Sequence, residues 1–220
     1  MLAPHSVTLL NSRATRANFQ TALTDLTNAM GEEDLLLIFY SGHGEKVENM
    51  TTERDGSAET MELFDAPLFD YELAAMMENV DARTLLVIDA CFAGGFDNVI
   101  DQRVDRMGIF SSDEDTLSLV ASEEKAGGYI SHIFRAALEG AADLNSDRDL
   151  SAGELSEYMR REFYRTVLET PLQTDAEDFR DMQVPGWQHI VIDRGGDGMP
   201  HQQVLMNLGP ASGGTLARAN

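Results

Sequence analysis

The sequence is poor in cysteine and in long apolar runs. Cys91 is the only cysteine among 220 residues, which excludes an internal disulfide and is typical of a reducing compartment. No apolar run approaches the length of a membrane span, and the first residues show neither the basic nor the apolar region of a secretory signal. These absences predict a cytoplasmic protein that does not insert into a membrane.

Positive charge is also scarce. The chain has 16 basic and 38 acidic residues, a net charge of −22, which argues against nucleic acid or an anionic membrane as a partner. The same charge favours cationic substrates or divalent cations, although a solvated acidic surface explains it equally well. With 43% hydrophobic residues, the chain can build one α/β domain with a substantial core.

Two apolar runs of the chain each end in a reactive side chain. Residues 35–40 (LLLIFY) precede the string SGHG, which contains His43, and residues 84–89 (TLLVID) precede the string ACFAGG, which contains Cys91. Neither run alternates with polar residues, which is typical of strands covered on both faces of a parallel sheet. Because the carboxyl ends of such strands carry the chemistry, we expect His43 and Cys91 to lie together.

A neighbouring imidazole can activate a thiol or take its proton, so the pair has a clear chemical use. The glycines on either side of His43 let the backbone pass close to a substrate carbonyl, where an amide N–H can bind an oxyanion. A buried structural cysteine and an unrelated histidine are the alternative. The matched strand contexts favour a catalytic dyad of Cys91 and His43.

The strings YSGHG and DACFAGG, in this order and at this separation, resemble the two signature segments of caspase-like cysteine peptidases, in particular metacaspases and their bacterial relatives. The resemblance implies an α/β, three-layer caspase-like fold, in which a mostly parallel sheet is flanked by helices. We assign that domain to residues 1–208 and expect residues 209–220 to form a disordered tail.

The resemblance also implies roles for individual residues. Cys91 would attack the scissile carbonyl, with His43 as the proton acceptor and donor. The backbone amides of Gly44 and Cys91 would hold the oxyanion. No cofactor is required for this chemistry.

Substrate preference is expected to depend on Asp89. In metacaspase-like enzymes the matching acid binds Arg or Lys on the amino side of the cleaved bond, and a carboxylate beside the nucleophile attracts a cation. Ser41 and Ser122 are further substrate-binding candidates, and the expected partner is a protein or peptide with basic residues. A carboxylate bound to backbone amides is the alternative interpretation of Asp89.

The chain departs from the family at its start, because caspase-like domains begin with one further strand and helix. We therefore expect the domain to be incomplete at its N-terminus, with the missing segment as a separate chain in one interpretation. Residues 92–116 are predicted to be a mobile loop between large- and small-subunit-like parts. Within it, Arg103 and Arg106 are self-cleavage candidates.

A second motif concerns calcium. The oxygen-bearing side chains fall at the spacing of an EF-hand loop, in which the ligands would be Asp143, Asn145, Asp147, Asp149 and Glu154. Against this, Arg148 stands where the loop needs glycine. The alternative, narrowly favoured, is a turn leading to a helix that Ser151 and Glu154 begin as a capping box.

The remaining pattern predicts strands at 6–10, 116–121 and 187–192, helices at 15–30, 68–80 and 129–139 and after residue 154, and a surface loop at 45–67. Two other functions stay open. One is a catalytically silent module that binds calcium or a partner. The other is a different Cys–His hydrolase, specific for Asn or Asp.

Overall fold

The computed structural model describes residues 5–51, 56–118, 120–122, 125–169, 188–195 and 198–209. The helices are α1 (Arg16–Asn28), α2 (Asp70–Met77), α3 (Asp97–Ile100), α4 (Tyr129–Ala136) and α5 (Ala152–Glu169). The strands are β1 (Leu35–Ser41), β2 (Gly44–Glu48), β3 (Ser57–Glu62), β4 (Pro67–Phe69), β5 (Arg83–Asp89), β6 (Arg106–Phe110), β7 (Val120–Ser122), β8 (Lys125–Gly128), β9 (Asp149–Ser151), β10 (Val191–Asp193) and β11 (Val204–Asn207).

The central sheet has the strand order β1–β5–β6–β10. Strand β5 pairs in parallel with both β1 and β6, and only β10 runs antiparallel to its neighbour. Helices cover both faces, since alternate side chains of β5 point to opposite sides. Leu85 and Val87 join the cluster of α4 and α5, whereas Leu86 and Ile88 join that of α1, α2 and α3. The predicted α/β fold with a mostly parallel sheet is confirmed.

Strand β1 differs from the prediction that both faces are covered. Leu36 and Ile38 are buried, but Leu37 is 37% and Phe39 46% exposed. The ring of Phe39 stacks on Phe134 of α4 with 6.1 Å between centroids, which covers that face only in part. Among the described residues, β1 has no strand on its outer edge. An apolar run therefore did not distinguish a central strand from an edge strand.

The predicted strand at residues 6–10 is wrong. This segment is extended but pairs with no described strand, and Val7 and Leu10 are 51% and 60% exposed. A strand is stable only with a neighbour to complete its hydrogen bonds, and the described part of the chain provides none here. The helix after it begins as predicted, because the side chain of Thr15 accepts a hydrogen bond from the Asn18 amide at 3.2 Å.

The predicted surface loop at 45–67 is also wrong. It contains a three-stranded antiparallel sheet, β2–β3–β4, in which β3 is almost wholly buried. Polar composition concealed this strand because its polar side chains have partners: Thr60 Oγ1 bonds to the Glu45 carbonyl oxygen at 3.3 Å and to Glu62 Oε1 at 2.7 Å. Buried polar groups are tolerated where they are hydrogen-bonded.

The predicted mobile loop at 92–116 is largely structured. After a 3-10 turn, Ala93–Phe96, come α3 and then β6, a strand of the central sheet that is buried throughout. The Arg106 guanidinium is fully buried and donates to the carbonyl oxygens of Met77 (2.5 Å) and Val99 (2.8 Å). The sequence pattern did not predict β6, because the strand begins with a charged residue, Arg106.

The C-terminal part of the described chain forms two small ladders. Strand β7 pairs with β8, and β9 pairs with β11. The strand predicted at 116–121 is reduced to β7, and the strand predicted at 187–192 is shifted to β10. The predicted tail lies outside the described residues except for Gly209. None of the described helices has the length and hydropathy that crossing a bilayer requires.

Candidate active site

The two reactive side chains come directly after neighbouring strand ends. Strands β1 and β5 are in register up to the pair Ser41 and Asp89, and the Gly42 amide donates to the Asp89 carbonyl oxygen at 3.3 Å. Two residues beyond this pair lie His43 and Cys91. The backbones remain close there, since a Cβ built on Gly44 would lie 2.2 Å from the Cys91 carbonyl oxygen. Glycine is required at position 44 for this approach.

His43 lies in a tight turn between β1 and β2, and its side chain is exposed. The Tyr40 hydroxyl donates to the His43 carbonyl oxygen at 2.7 Å, and the Glu62 amide donates to the same oxygen at 3.0 Å. Burial raises the pKa of Tyr40 well above its ordinary value, so this hydroxyl stays a donor at every physiological pH. The backbone of the turn is fixed, while the imidazole stays in contact with solvent.

Cys91 is half-buried at the beginning of a turn in which Phe92 has a left-handed conformation (φ 57°). The Ser118 amide donates to Cys91 Sγ at 3.3 Å, and the thiol lies 3.7 Å from the Ser118 carbonyl oxygen. In the described part of the chain, no hydrogen bond joins Cys91 to His43. Burial raises the pKa of the Cys91 thiol, although the Ser118 amide opposes this effect. The thiol is therefore protonated at neutral pH in this conformation.

Two serines that sequence reasoning missed hold the turn around Cys91. Ser111 Oγ accepts from the Ala90 amide at 3.0 Å, and Ser112 Oγ accepts from the Ala93 amide at 3.1 Å. Both serines are fully buried, and each lies within 3.1 Å of the Ala90 carbonyl oxygen. They come directly after β6, so the strand-end argument would have found them if β6 had been recognised.

Asp89 is buried at the N-terminus of α4. Its Oδ2 accepts from the Ser131 amide at 2.9 Å and also contacts the Ser131 hydroxyl. A Cβ on Gly128 would lie 2.1 Å from Asp89 Oδ1, so backbone also closes in on the other oxygen. Burial raises the pKa of Asp89, and the hydrogen bonds from Ser131 offset part of this rise. One oxygen thus has the backbone-bound environment of the alternative interpretation, whereas the buried Oδ1 has no hydrogen-bond partner among the described residues.

The other predicted substrate and cleavage residues lie in different surroundings. Ser41 is exposed beside Asp89. Ser122 lies in β7, but its side chain is outside the described part of the structure. Arg103 pairs with Asp81 at 2.8 Å in the turn before β6. Arg106 is excluded as a cleavage site in the folded chain, because it is fully buried within β6.

Side-chain oxygens of the predicted calcium loop accept hydrogen bonds from the protein backbone. Asp143 and Glu154 accept hydrogen bonds from backbone amides of residues 144–148, and Asp147 accepts from the Asp149 amide. Ser151 and Glu154 form the capping box: the Glu154 amide donates to Ser151 Oγ at 3.2 Å, and the Ser151 amide donates to Glu154 Oε2 at 3.1 Å. Within the described ranges, no group of three or more His, Cys, Asp or Glu is arranged to hold a metal ion. Calcium at this loop stays a prediction.

A buried carboxylate lies near the site. Glu59, in β3, is only 4% exposed, and Lys46 Nζ lies 3.5 Å from its Oε1 and 2.8 Å from Asp115 Oδ1. Burial raises the pKa of Glu59 to about 7, and Lys46 opposes this rise. A Cβ on Gly95 would lie 2.0 Å from Glu59 Oε2, so the turn after Cys91 packs directly on this carboxylate. The sequence predicted Glu59 in the surface loop at 45–67, on a solvated face or, in the alternative interpretation, among acids that line a cation site.

Comparison with known proteins supports the family resemblance. Residues 4–100 match the family model described as Metacaspase, peptidase C14 domain. The resemblance is confirmed over that stretch. Residues 4–100 contain both motifs, and the match relates this part of the chain to a family of cysteine peptidases.

One similar solved structure is that of protein GSU0716 from Geobacter sulfurreducens. It matches with a TM-score of 0.55 and 19% identity, over 91% of this chain and 83% of that one. At this identity the match concerns the fold alone, and it agrees with the caspase-like architecture. No curated protein matches the sequence.

Proposed function

We propose that the protein is a cysteine endopeptidase in which Cys91 is the nucleophile and His43 the general base and acid. The observation that carries this proposal is the register of β1 and β5. It pairs Ser41 with Asp89 and so places His43 and Cys91 at equivalent positions beyond adjacent strand ends. Active sites of open α/β sheets are built at such ends.

The reaction uses groups that the turn already provides. His43 takes the thiol proton, and the sulfur of Cys91 forms a bond to the scissile carbonyl carbon. The carbonyl oxygen becomes an oxyanion, which the amides of Gly44 and Cys91 stabilise. His43 then gives its proton to the leaving amine as the C–N bond breaks. Water, deprotonated by His43, hydrolyses the thioester and restores the thiol.

We assign a preference for Arg or Lys before the cleaved bond. Asp89 is the carboxylate that the sheet brings beside the nucleophile, and Ser41 and Ser122 are assigned to the same subsite. The net charge of −22 adds a long-range attraction for basic substrates. A basic side chain that reached Asp89 would supply a positive partner for this buried carboxylate.

Self-cleavage is assigned to the bond after Arg103. This residue lies in a turn, and its side chain is 33% exposed, whereas Arg106 is enclosed by the core. Its ion pairs with Asp81 and Asp105 would have to open before cleavage. Mass spectrometry of the incubated full chain tests this: processing after residue 103 should disappear in Arg103→Ala, and an unchanged fragment pattern would remove the assignment.

A panel of fluorogenic peptides ending in Arg, Lys, Asp or Asn, with and without calcium, tests the proposed function. Turnover of the Arg and Lys peptides that is abolished in Cys91→Ala is the expected result. Turnover confined to the Asn or Asp peptide would support the other Cys–His hydrolase. A folded chain that cleaves none of the four would be a silent module, and calcium dependence would show whether the ion is needed.

A further inference from the structure

One segment of the chain covers the nucleophile. Residues 113–118, here called the strap, come after β6 and cross the turn that carries Cys91. The Phe92 amide donates to the Thr116 carbonyl oxygen at 2.9 Å, and both main-chain groups of Ser118 contact Cys91 Sγ. Among the described residues, the thiol therefore has polar contacts with the strap and none with His43.

The strap is fastened by side chains from two distant parts of the sequence. Lys46, on β2, contacts Asp115 Oδ1 at 2.8 Å and the Glu114 carbonyl oxygen at 3.4 Å. Gln188 is buried, and its Nε2 donates to Ser118 Oγ at 3.0 Å and to the Ser111 carbonyl oxygen at 2.7 Å. One fastening therefore holds the middle of the strap, and the other holds its end above the thiol.

The strap also lies unusually close to the turn beneath it. A Cβ built on Gly94 would come within 2.7 Å of both the Asp113 Cα and the Glu114 amide nitrogen. Backbone thus packs on backbone, and a substrate chain could not pass between the strap and this turn. Access from this side requires the strap to move.

The contacts that hold the strap are of a kind that can break while the rest of the fold stays intact. Hydrogen bonds and one ion pair join the strap to Lys46, Phe92 and Gln188, and Thr116 is its buried side chain. The Asp115 side chain is 62% exposed, so water and salt compete with its ion pair. No apolar side chain of the strap belongs to either buried core cluster of the described residues. Such segments open at low free-energy cost compared with core elements.

We propose that the strap is an inhibitory element, fastened by Lys46, whose release frees the Cys91 thiol for proton transfer to His43. The proposal rests on the proposed function of Cys91 as the nucleophile. The closed strap explains why the thiol is both shielded and without contact to its base. A substrate that displaces Ser118 from Cys91, or a cation that competes with Lys46 for Asp115, would open the site.

Alkylation of Cys91 by iodoacetamide, followed by mass spectrometry of the full chain, tests the proposal directly. It measures access to the only thiol of the chain and needs no peptidase activity, so it stays informative if the proposed function fails. The variants are Lys46→Gln, Asp115→Asn and the double variant. Arg135→Gln is the matched control, because it makes the same charge change in an exposed ion pair of α4 with Glu139.

We expect both single variants to alkylate about two- to fivefold faster than the wild type at a pH where the thiol is ionised, which is the range for one partly exposed ion pair. The double variant should alkylate no faster than Lys46→Gln, because that variant already removes the contact with Asp115 together with the contacts of Lys46 to the Glu114 carbonyl oxygen and to Glu59. Raising the salt concentration should speed the wild type toward the variants. Arg135→Gln should behave as the wild type does.

Equal rates in the wild type and both single variants would overturn the proposal, and so would slower alkylation in the variants. If the rates of the single variants multiply in the double variant, general destabilisation is the cause and the proposal also fails. Gly94→Ala gives a second measurement through sterics alone, and it should raise the rate about tenfold by lifting the strap from the turn. An unchanged rate in Gly94→Ala, with an unchanged melting temperature, would equally contradict a closed strap.

Discussion

Ser41 and Asp89 are partners in the parallel ladder of β1 and β5, and they are the last paired residues of the two strands. The turn after Ser41 therefore lies beside the turn after Asp89. This single relationship accounts for the closeness of the two segments that carry His43 and Cys91. It also places Asp89 at the end of β5, two residues before Cys91.

The first prediction concerns the pH dependence of substrate preference. Because burial raises the pKa of Asp89, this residue loses its charge as the pH falls through the raised value, and binding of Arg and Lys should weaken there. In Asp89→Asn, kcat/KM for an Arg peptide should fall by at least about 30-fold, the loss expected when one partner of a buried charge pair is removed. The fall in kcat/KM at low pH, which the wild type should show as Asp89 is protonated, should be absent in the variant.

Steady-state kinetics across the acidic and neutral pH range check this prediction about Asp89. A peptide ending in Asn is the control, because its kcat/KM should change far less. If Asp89→Asn cleaves the Arg peptide as well as the wild type does, the carboxylate serves only to bind the N-terminus of α4.

The second prediction concerns stability. Arg106 donates to four acceptors: the buried carbonyl oxygens of Met77, Val80 and Val99, and Oε1 of the exposed Gln102. Replacing it by Met leaves buried carbonyl oxygens without donors, so we expect the free energy of unfolding to fall by about 2–4 kcal/mol. Arg103→Met, which breaks partly exposed ion pairs only, should cost less than about 1 kcal/mol.

Denaturant unfolding of the two methionine variants provides the comparison. Equal losses in the two variants would show that the buried guanidinium does not organise the ends of α2 and α3.

The third prediction concerns Glu59, whose pKa is raised from 4.5 to about 7 by burial. A carboxyl group with a raised pKa stabilises the folded state fully below its unfolded value and loses that contribution as the pH rises through about 7. Glu59→Gln, which cannot ionise, should therefore be more stable than the wild type about one pH unit above that value, by up to about 3 kcal/mol. The two proteins should be similar in acid, where the wild-type carboxyl group is protonated.

Unfolding curves on either side of the raised pKa measure the effect of Glu59→Gln. A variant less stable than the wild type at the alkaline end would mean that the contact of Glu59 with Lys46 outweighs the cost of burying its charge.

The fourth prediction concerns the start of α5. Ser151 and Glu154 form a reciprocal capping box, so Ser151→Ala should lower the free energy of unfolding by about 1 kcal/mol. Ser156 provides the control in the same helix, because its hydroxyl only returns to the Ala152 carbonyl oxygen and caps nothing. Ser156→Ala should be close to neutral. Equal losses in both variants would remove the special role of the cap.

The sequence predicted the parts of the site that depend on strand ends, because two apolar runs and two short motifs carry that information locally. It did not reveal β3 or β6, whose burial depends on polar partners contributed from elsewhere, such as Glu45 for Thr60 and Met77 for Arg106. The contact of Ser118 with Cys91 also could not be predicted, since it joins residues 27 positions apart through irregular backbone. Tertiary hydrogen bonds of this kind leave no periodic signal.

The most direct test of the central claim is hydrolysis of an Arg-terminated fluorogenic peptide by the wild type, Cys91→Ala and His43→Ala, each shown to be folded by its circular dichroism spectrum. We expect turnover by the wild type and its loss in both variants, because neither residue of the dyad can act alone. Turnover that survives in Cys91→Ala or in His43→Ala would contradict a dyad built at the paired ends of β1 and β5.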